Sequence, residues 1–232
     1  MNYWSYEATW GNEFIPMEGD SLHIPAGLHL LVDIPKTPKL NAVIVEGSLI
    51  FAPDASADHV RTFNASYVMV RGGYMEVGTE EFPYTSKLII TMYGSKESAE
   101  IPIYGNKVIA VRHGQLEMHG VPRVPTWTEL ETTVLPGATT ITLHTAVDWQ
   151  AGEVIVIAPT GYNVDEAEER TIVSVNRATA NRPVITLNEK LDFKHYAGVE
   201  TYGSETLEMR AEVGLLTRNV VYRGDPETSA KN

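Results

Sequence analysis

Four stretches decide the fold: AVIVEGSLIF (42–51), YVMVRGGYMEV (67–77), VIAVRHGQLEM (108–118) and NVVYRG (219–224). The first three are an apolar strand, a turn centred on glycine and a second apolar strand; the fourth is the strand and its glycine, and the copies return at irregular intervals. Such a unit cannot bury its apolar face alone, so copies must stack on one another, and the product is a coil of short strands. The sequence therefore predicts an all-β fold built on right-handed β-solenoid coils, with little helix.

Working outward, PMEGDSLHIPAGLHLLVD (16–33) reads as a strand, a turn at Pro25 to Gly27 and another strand, so the first coil opens near residue 20 after a lead-in over 1–19. Between Gly78 and Gly105 an inserted segment with one strong strand at 87–93 lengthens a coil. Past Gly120 the pattern changes. Turn signals at Pro136-Gly137 and Ala151-Gly152 and an Asn/Pro turn near residue 182 separate runs rich in Thr, Val and Ile. Residues 121–200 are thus expected to be a hairpin-rich antiparallel insertion, with 201–232 returning to the solenoid. The one helical candidate, 126–132, is a turn or two at most.

The 232 residues, 43% of them apolar, suffice for a large continuous core without staples, and with no Cys there is neither a disulfide framework nor a thiolate metal site. The start, MNYWSYEATWGNEF, has no basic leader before an apolar run, and no stretch approaches the roughly 18 to 20 apolar residues that span a bilayer, so membrane insertion by this segment is not expected. A start this abrupt, and an end just after a strand unit, read as a segment of a longer chain whose last coil edge is covered by further coils. The net charge of −12 opposes nucleic acid and other polyanions unless a local basic strip exists.

One such strip is suggested by aligning the units on their glycines, which puts Glu46, Arg71, Arg112 and Arg223 at one position, about 5 Å apart per rung. It reads either as an exposed, self-compensating ladder in which Glu46 answers Arg71, or as an arginine strip, Arg71, Arg112 and Arg223, for a carboxylated or sulfated sugar. Glycosidic cleavage needs two carboxyl groups facing one cleft. VDWQAGEV (147–154) offers Asp148 and Glu153 beside Trp149, which is either a sugar platform or a core residue next to a turn. His113 with His119, and His23 with His29, lie six apart, but neither pair has a third metal ligand. The acidic clusters Asp54 and Asp58 with His59, and Asp165, Glu166, Glu168 and Glu169, lack calcium-loop spacing and read as solvated loops. No metal and no cofactor is implied. Neither a nucleophile elbow nor a phosphate-binding glycine loop is present. Asn64-Ala65-Ser66 is a glycosylation sequon expected at a loop or coil edge.

In the order WG, PMEGDSLHIPAG, LNAVIVEGSLIF, VRGGYMEVGTEEFPY, PIYGNKVIAVRHGQLEMHG, TWTEL, PGATTITL, VDWQAGEVIVIAPT and RAEVGLLTRNVVYRG, from Trp10 to Gly224, the chain resembles the eight-glycine extracellular domain of the fibrocystin and cell-surface hyaluronidase family, in its fibrocystin-L-like branch. The resemblance implies an extracellular, glycosylated module at the cell surface, followed by further parallel β-helix. Two kinds of function come with it: a non-catalytic structural, adhesive or ligand-binding part of a large receptor or coat protein, meeting a protein or glycan, and a hyaluronan-depolymerising enzyme. For the enzyme, the residues to test are Arg112, His119, Asp148, Glu153 and Arg218; for glycan binding, Arg71, Arg112 and Arg223 with Trp127 or Trp149.

Overall fold

The computed structural model describes residues 1–11, 13–53, 59–179 and 181–229. The Asp54 and Asp58 cluster lies outside them. The fold is all-β, and the longest helices among the described residues have four residues, at Glu7–Trp10 and Pro226–Ser229. The chain divides into two compact units, residues 1–122 with 218–232, and 123–217.

The first unit holds β1 (Asn2–Tyr3), β2 (Leu22–Ile24), β3 (His29–Val32), β4 (Lys36–Val45), β5 (Ser48–Phe51), β6 (Val60–Arg71), β7 (Tyr74–Val77), β8 (Lys87–Met92), β9 (Val108–Arg112) and β10 (Gln115–Met118). Every strand pairing here is parallel. One sheet runs β1-β3-β5-β7-β10; the other runs β2-β4-β6-β8 and then Val220–Gly224, with β9 also on β6. From β2 to β8, successive strands alternate between the two sheets. Each strand-glycine-strand unit thus supplies one strand to each sheet, as its turn requires.

Alternation along the strands sends one set of side chains inward. Leu30, Leu49 and Met75 stack rung upon rung, as do Val32 and Phe51, and with Val43, Val68 and Ile90 from the other sheet they form one buried core. Phe51 and Phe63 meet edge to face at 5.2 Å between ring centroids. On the edge away from β4, the long β6 serves two neighbours: its first half, 60–65, pairs β8, and its second half, 67–71, pairs β9.

The glycines of the units are needed by the stacking itself. A Cβ on Gly73 would lie 2.6 Å from the Gly47 carbonyl oxygen, and one on Gly114 2.7 Å from that of Gly73. At Gly47 it would collide with the carbonyl oxygens of Leu28 and Pro25. Turn curvature is met one residue earlier, where Gly72 takes φ +74° and His113 stands at the equivalent position with φ +51°.

The second unit contains β11 (Trp127–Glu129), β12 (Thr140–Thr142), β13 (Val154–Ile157), β14 (Glu168–Asn176), β15 (Val184–Leu187), β16 (Ala197–Tyr202), β17 (Glu205–Arg210) and β18 (Glu212–Leu215). Its pairings are antiparallel: β11-β18-β13-β14-β15-β12 form one sheet, and β16 pairs β17. Residues 126–132, the helical candidate, contain strand β11 instead, because Trp127 to Glu129 find backbone partners in Glu212 to Gly214. Its core gathers Trp149, Ile155, Ile157, Ile172, Ile185 and Leu191, and Trp149 is fully buried.

Candidate functional site

The outward face of the β3-β5-β7-β10 sheet carries a regular polar row. His29, Ser48, Tyr74 and Gln115 are register partners on consecutive strands, each the first residue of its strand. The neighbouring outward row is Leu31, Ile50, Glu76 and Glu117. Beside the first row runs an open groove of about 760 Å³ whose floor is Gly47, Gly73 and Gly114 and whose walls include His29, Tyr74, His113 and Gln115.

Hydrogen bonds lock the row. His29 Nδ1 lies 3.0 Å from Ser48 Oγ, and Gln115 Nε2 donates to Glu117 Oε1. The Tyr74 hydroxyl is pushed above its ordinary range, first by burial and then by the carboxylates of Glu76 and Glu117, so it stays a neutral donor. At the groove's edge Glu46 accepts from Arg71, at 3.0 Å from Nε, and lies 2.9 Å from His23 Nε2. Arg71 and then His23 hold its carboxyl below the usual range against a smaller opposing effect of burial. The self-compensating ladder is therefore present at Glu46 and Arg71, with exposed Arg112 on the next rung, paired in register to Arg71.

Arg223 is not on that ladder. It pairs in register with Thr91, which pairs with Asn64, and Asn64 lies seven residues, roughly 23 Å, from Arg71 along β6. The glycine alignment failed here because Val220–Gly224 adds to β8 and not to β9. Arg223 instead borders a separate cleft of about 500 Å³ with Lys39, Asn64, Thr91 and Tyr93. Its Nε lies 3.4 Å from Thr91 Oγ1, and Lys39 Nζ sits 4.7 Å from the centre of the Tyr93 ring.

Asn64 is only 4% exposed, and its Nδ2 donates to the Thr37 carbonyl at 2.9 Å. The side chain is buried within strand β6, which corrects the coil-edge placement expected of the sequon. The amide closes the register shift between Lys36 and Lys39, where the Asn64 N–H also donates to Thr37 Oγ1.

The five residues named for glycosidic cleavage fall in both units: Arg112, His119 and Arg218 in the first, Asp148 and Glu153 in the second. Half-buried His119 has its Nε2 4.0 Å from Glu117 Oε2. Arg123 lies against both carboxylates of the second unit, at 2.5 Å from Glu153 and 3.9 Å from Asp148. The Gln150 N–H donates to the other oxygen of Glu153 at 2.8 Å. That arrangement compensates charge and holds a turn. Trp149 donates from Nε1 to the Pro125 carbonyl inside the core, which removes it as a sugar platform; Trp127 is exposed.

Sequence reasoning missed two carboxylate hubs in the second unit. Glu168, read as part of a solvated acidic loop, is buried at the start of β14. It accepts from Arg170 and from the backbone N–H groups of Asp192 and Phe193, each at 2.9 Å, and lies 2.9 Å from His195 Nε2. His195 Nδ1 faces the Ala158 carbonyl at 2.8 Å. Burial alone would raise the Glu168 carboxyl, but the two N–H groups with His195 and Arg170 outweigh it and hold it below the usual range. Glu131 is held low chiefly by His144 at 2.7 Å, against burial, with help from Arg182 and Arg210. The one sequence signal was the two-residue spacing of Glu168 and Arg170, which puts them on one face of a strand. Among the described residues no group of three or more His, Asp or Glu side chains is placed to hold a metal ion, and no helix is long and apolar enough to cross a membrane.

The family model of the G8 domain matches residues 9–131, and the chain belongs to that family. It is similar to fibrocystin-L of Homo sapiens, 37% identical over 236 residues that cover 100% of this chain and 5% of that protein. Fibrocystin of Mus musculus is 32% identical over 96% of this chain and 5% of its own length. Protein rliB of Dictyostelium discoideum is 28% identical over 97% of this chain and 20% of its own length. The chain thus spans a small part of each of these relatives.

Proposed function

We propose that the chain is an extracellular, non-catalytic module of a large surface receptor or coat protein, serving in adhesion or ligand binding. In this reading the first unit is a stretch of right-handed β-solenoid that further coils of the full-length protein extend. The observation that carries the reading is the outward row His29, Ser48, Tyr74 and Gln115 above a glycine floor, an ordered surface bordered by the Glu46 and Arg71 pair and by the carboxylates of Glu76 and Glu117. Membership of a family whose fibrocystin relatives are some twenty times longer supports a role as one part of a larger assembly. Fold does not decide between binding and hydrolysis, so the side chains must. Arg123, set between Asp148 and Glu153, favours binding, because neither carboxyl is left as an uncompensated acid.

Two assays test this. Surface biotinylation of intact cells carrying the full-length protein should label it. Size-defined hyaluronan incubated with the chain should keep its length on a gel; shortening that is lost in Asp148→Asn or His119→Ala would replace the binding module with an enzyme.

A further inference from the structure

The groove over Gly47, Gly73 and Gly114 is more than a gap between turns, because one of its walls is kept at a conformational cost. His113 stands in the left-handed region at φ +51°, where the preceding unit has Gly72 at φ +74°. Non-glycine residues there are uncommon, and such strain persists where the surrounding structure or a function demands it. The turn sets that conformation, and glycine adopts it without strain at the equivalent Gly72, where nothing lies within 4 Å of the missing Cβ; His113 instead places an exposed imidazole beside the groove.

We infer that this groove is a binding site for an uncharged, extended polyhydroxylated chain, a neutral glycan strand, lying across β3, β5, β7 and β10. Strands sit about 4.8 Å apart, so His29, Tyr74 and Gln115, with buried Ser48 held against His29, place one polar side chain per rung at a constant interval, which matches a repeating ligand and not a compact one. The row mixes imidazole, hydroxyl, phenol and amide, the donors and acceptors that hydroxyl groups need. Charge selects the neutral polymer. Glu46 edges the groove with its partner Arg71, the carboxylates of Glu76 and Glu117 line the adjacent row, and the chain carries −12 overall. An acidic polysaccharide meets that field as repulsion, whereas hydroxyl groups can donate to the carboxylates. An added β-strand needs a sheet edge, and this row lies on a sheet face, so a peptide fits poorly.

The inference rests on the reading of the chain as a ligand-binding module, but it fails separately: surface labelling tests the module's setting, and the following experiment tests the groove. The chain is run through native gels cast with a neutral β-linked glucan, a mannan, hyaluronan or dextran sulfate. Retardation is expected by a neutral polymer and not by the acidic ones. His113→Gly should keep or raise the melting temperature while weakening retention about three- to tenfold, the worth of one or two hydrogen bonds. Gln115→Ala and His29→Ala should weaken it similarly, with folding checked by circular dichroism. Retention by no neutral polymer, retention by acidic polymers alone, or retention unchanged in all three variants would overturn the proposal.

Discussion

The two units reach a packed β core by opposite means. In the first, parallel strands stack so closely that the turn positions Gly47, Gly73 and Gly114 exclude a single methyl group. In the second, antiparallel strands are joined by ionic hubs, with Glu168 tied to β14, to His195 and to the 192–193 backbone, and Glu131 tied to His144, Arg182 and Arg210. Backbone proximity between stacked turns is a steric condition that a single methyl group breaks. A buried ionic hub is an electrostatic condition, met only when distant segments arrive together. The units should therefore respond to different perturbations.

The largest effect is expected at Gly47. Gly47→Ala forces a methyl group into two carbonyl oxygens of the preceding turn, and destabilisation of at least about 3 kcal/mol should appear in urea unfolding. Gly152→Ala in the second unit, where φ is +87° but space is open, should cost only about 1 to 2 kcal/mol. Equal costs would mean that turn conformation, and not close approach, selects these glycines.

Next comes Glu168→Gln, which removes the buried carboxylate shared by Arg170, His195 and the Asp192 and Phe193 N–H groups and should cost about 3 kcal/mol at neutral pH. The pH dependence has a definite sign. Glu168 and Glu131 are both held below the ordinary carboxylate range, so the unfolded chain takes up protons first as the pH falls. Their contribution is complete above the unfolded value near 4.3 and is lost as the pH drops through the lower folded values. Urea midpoints from pH 6 to pH 2 should fall on the acid side, and less steeply in Glu168→Gln. An unchanged slope would place the acid-sensitive groups elsewhere.

A subtler contrast concerns Asn64. Its amide is spent on the Thr37 carbonyl, so intact-mass analysis of chain secreted from animal cells should find Asn64 unmodified, and Asn64→Ala should cost about 1 to 2 kcal/mol. The smallest effect belongs to the exposed ladder: Arg71→Ala should cost less than about 1 kcal/mol and less still at high salt.

These contrasts also explain what was legible in the sequence. The strand-glycine-strand units, the β2 and β3 pair around Pro25 to Gly27, and the change to antiparallel hairpin chemistry after Gly120 all rest on local signals, alternation and turn residues. The position just after each unit's second-strand glycine, Ser48, Tyr74 and Gln115, was equally visible, and aligning on the glycines could have found the polar row. Arg223 was misplaced because pairing is not local: Val220–Gly224 joins β8, which is not part of a glycine unit. The Glu168 hub was hidden for the same reason, since His195 comes from 27 residues away and the burial of Glu168 depends on that meeting. Its acidic surroundings looked like a solvated loop because charge composition reports no partner. The insertion was expected to end at residue 200, whereas the second unit extends to Thr217, with β16, β17 and β18 in antiparallel pairs.

The most direct measurement is a nuclear magnetic resonance titration of the nitrogen-15-labelled chain with a soluble neutral β-glucan oligosaccharide and, in parallel, a hyaluronan oligosaccharide. The amides of Gly47, Gly73, His113, Gly114 and Gln115 should shift with the neutral ligand, while those around Asp148 and Glu153 stay in place. Shifts centred on Asp148 and Glu153, or a response to hyaluronan alone, would contradict a groove-borne, non-catalytic recognition module.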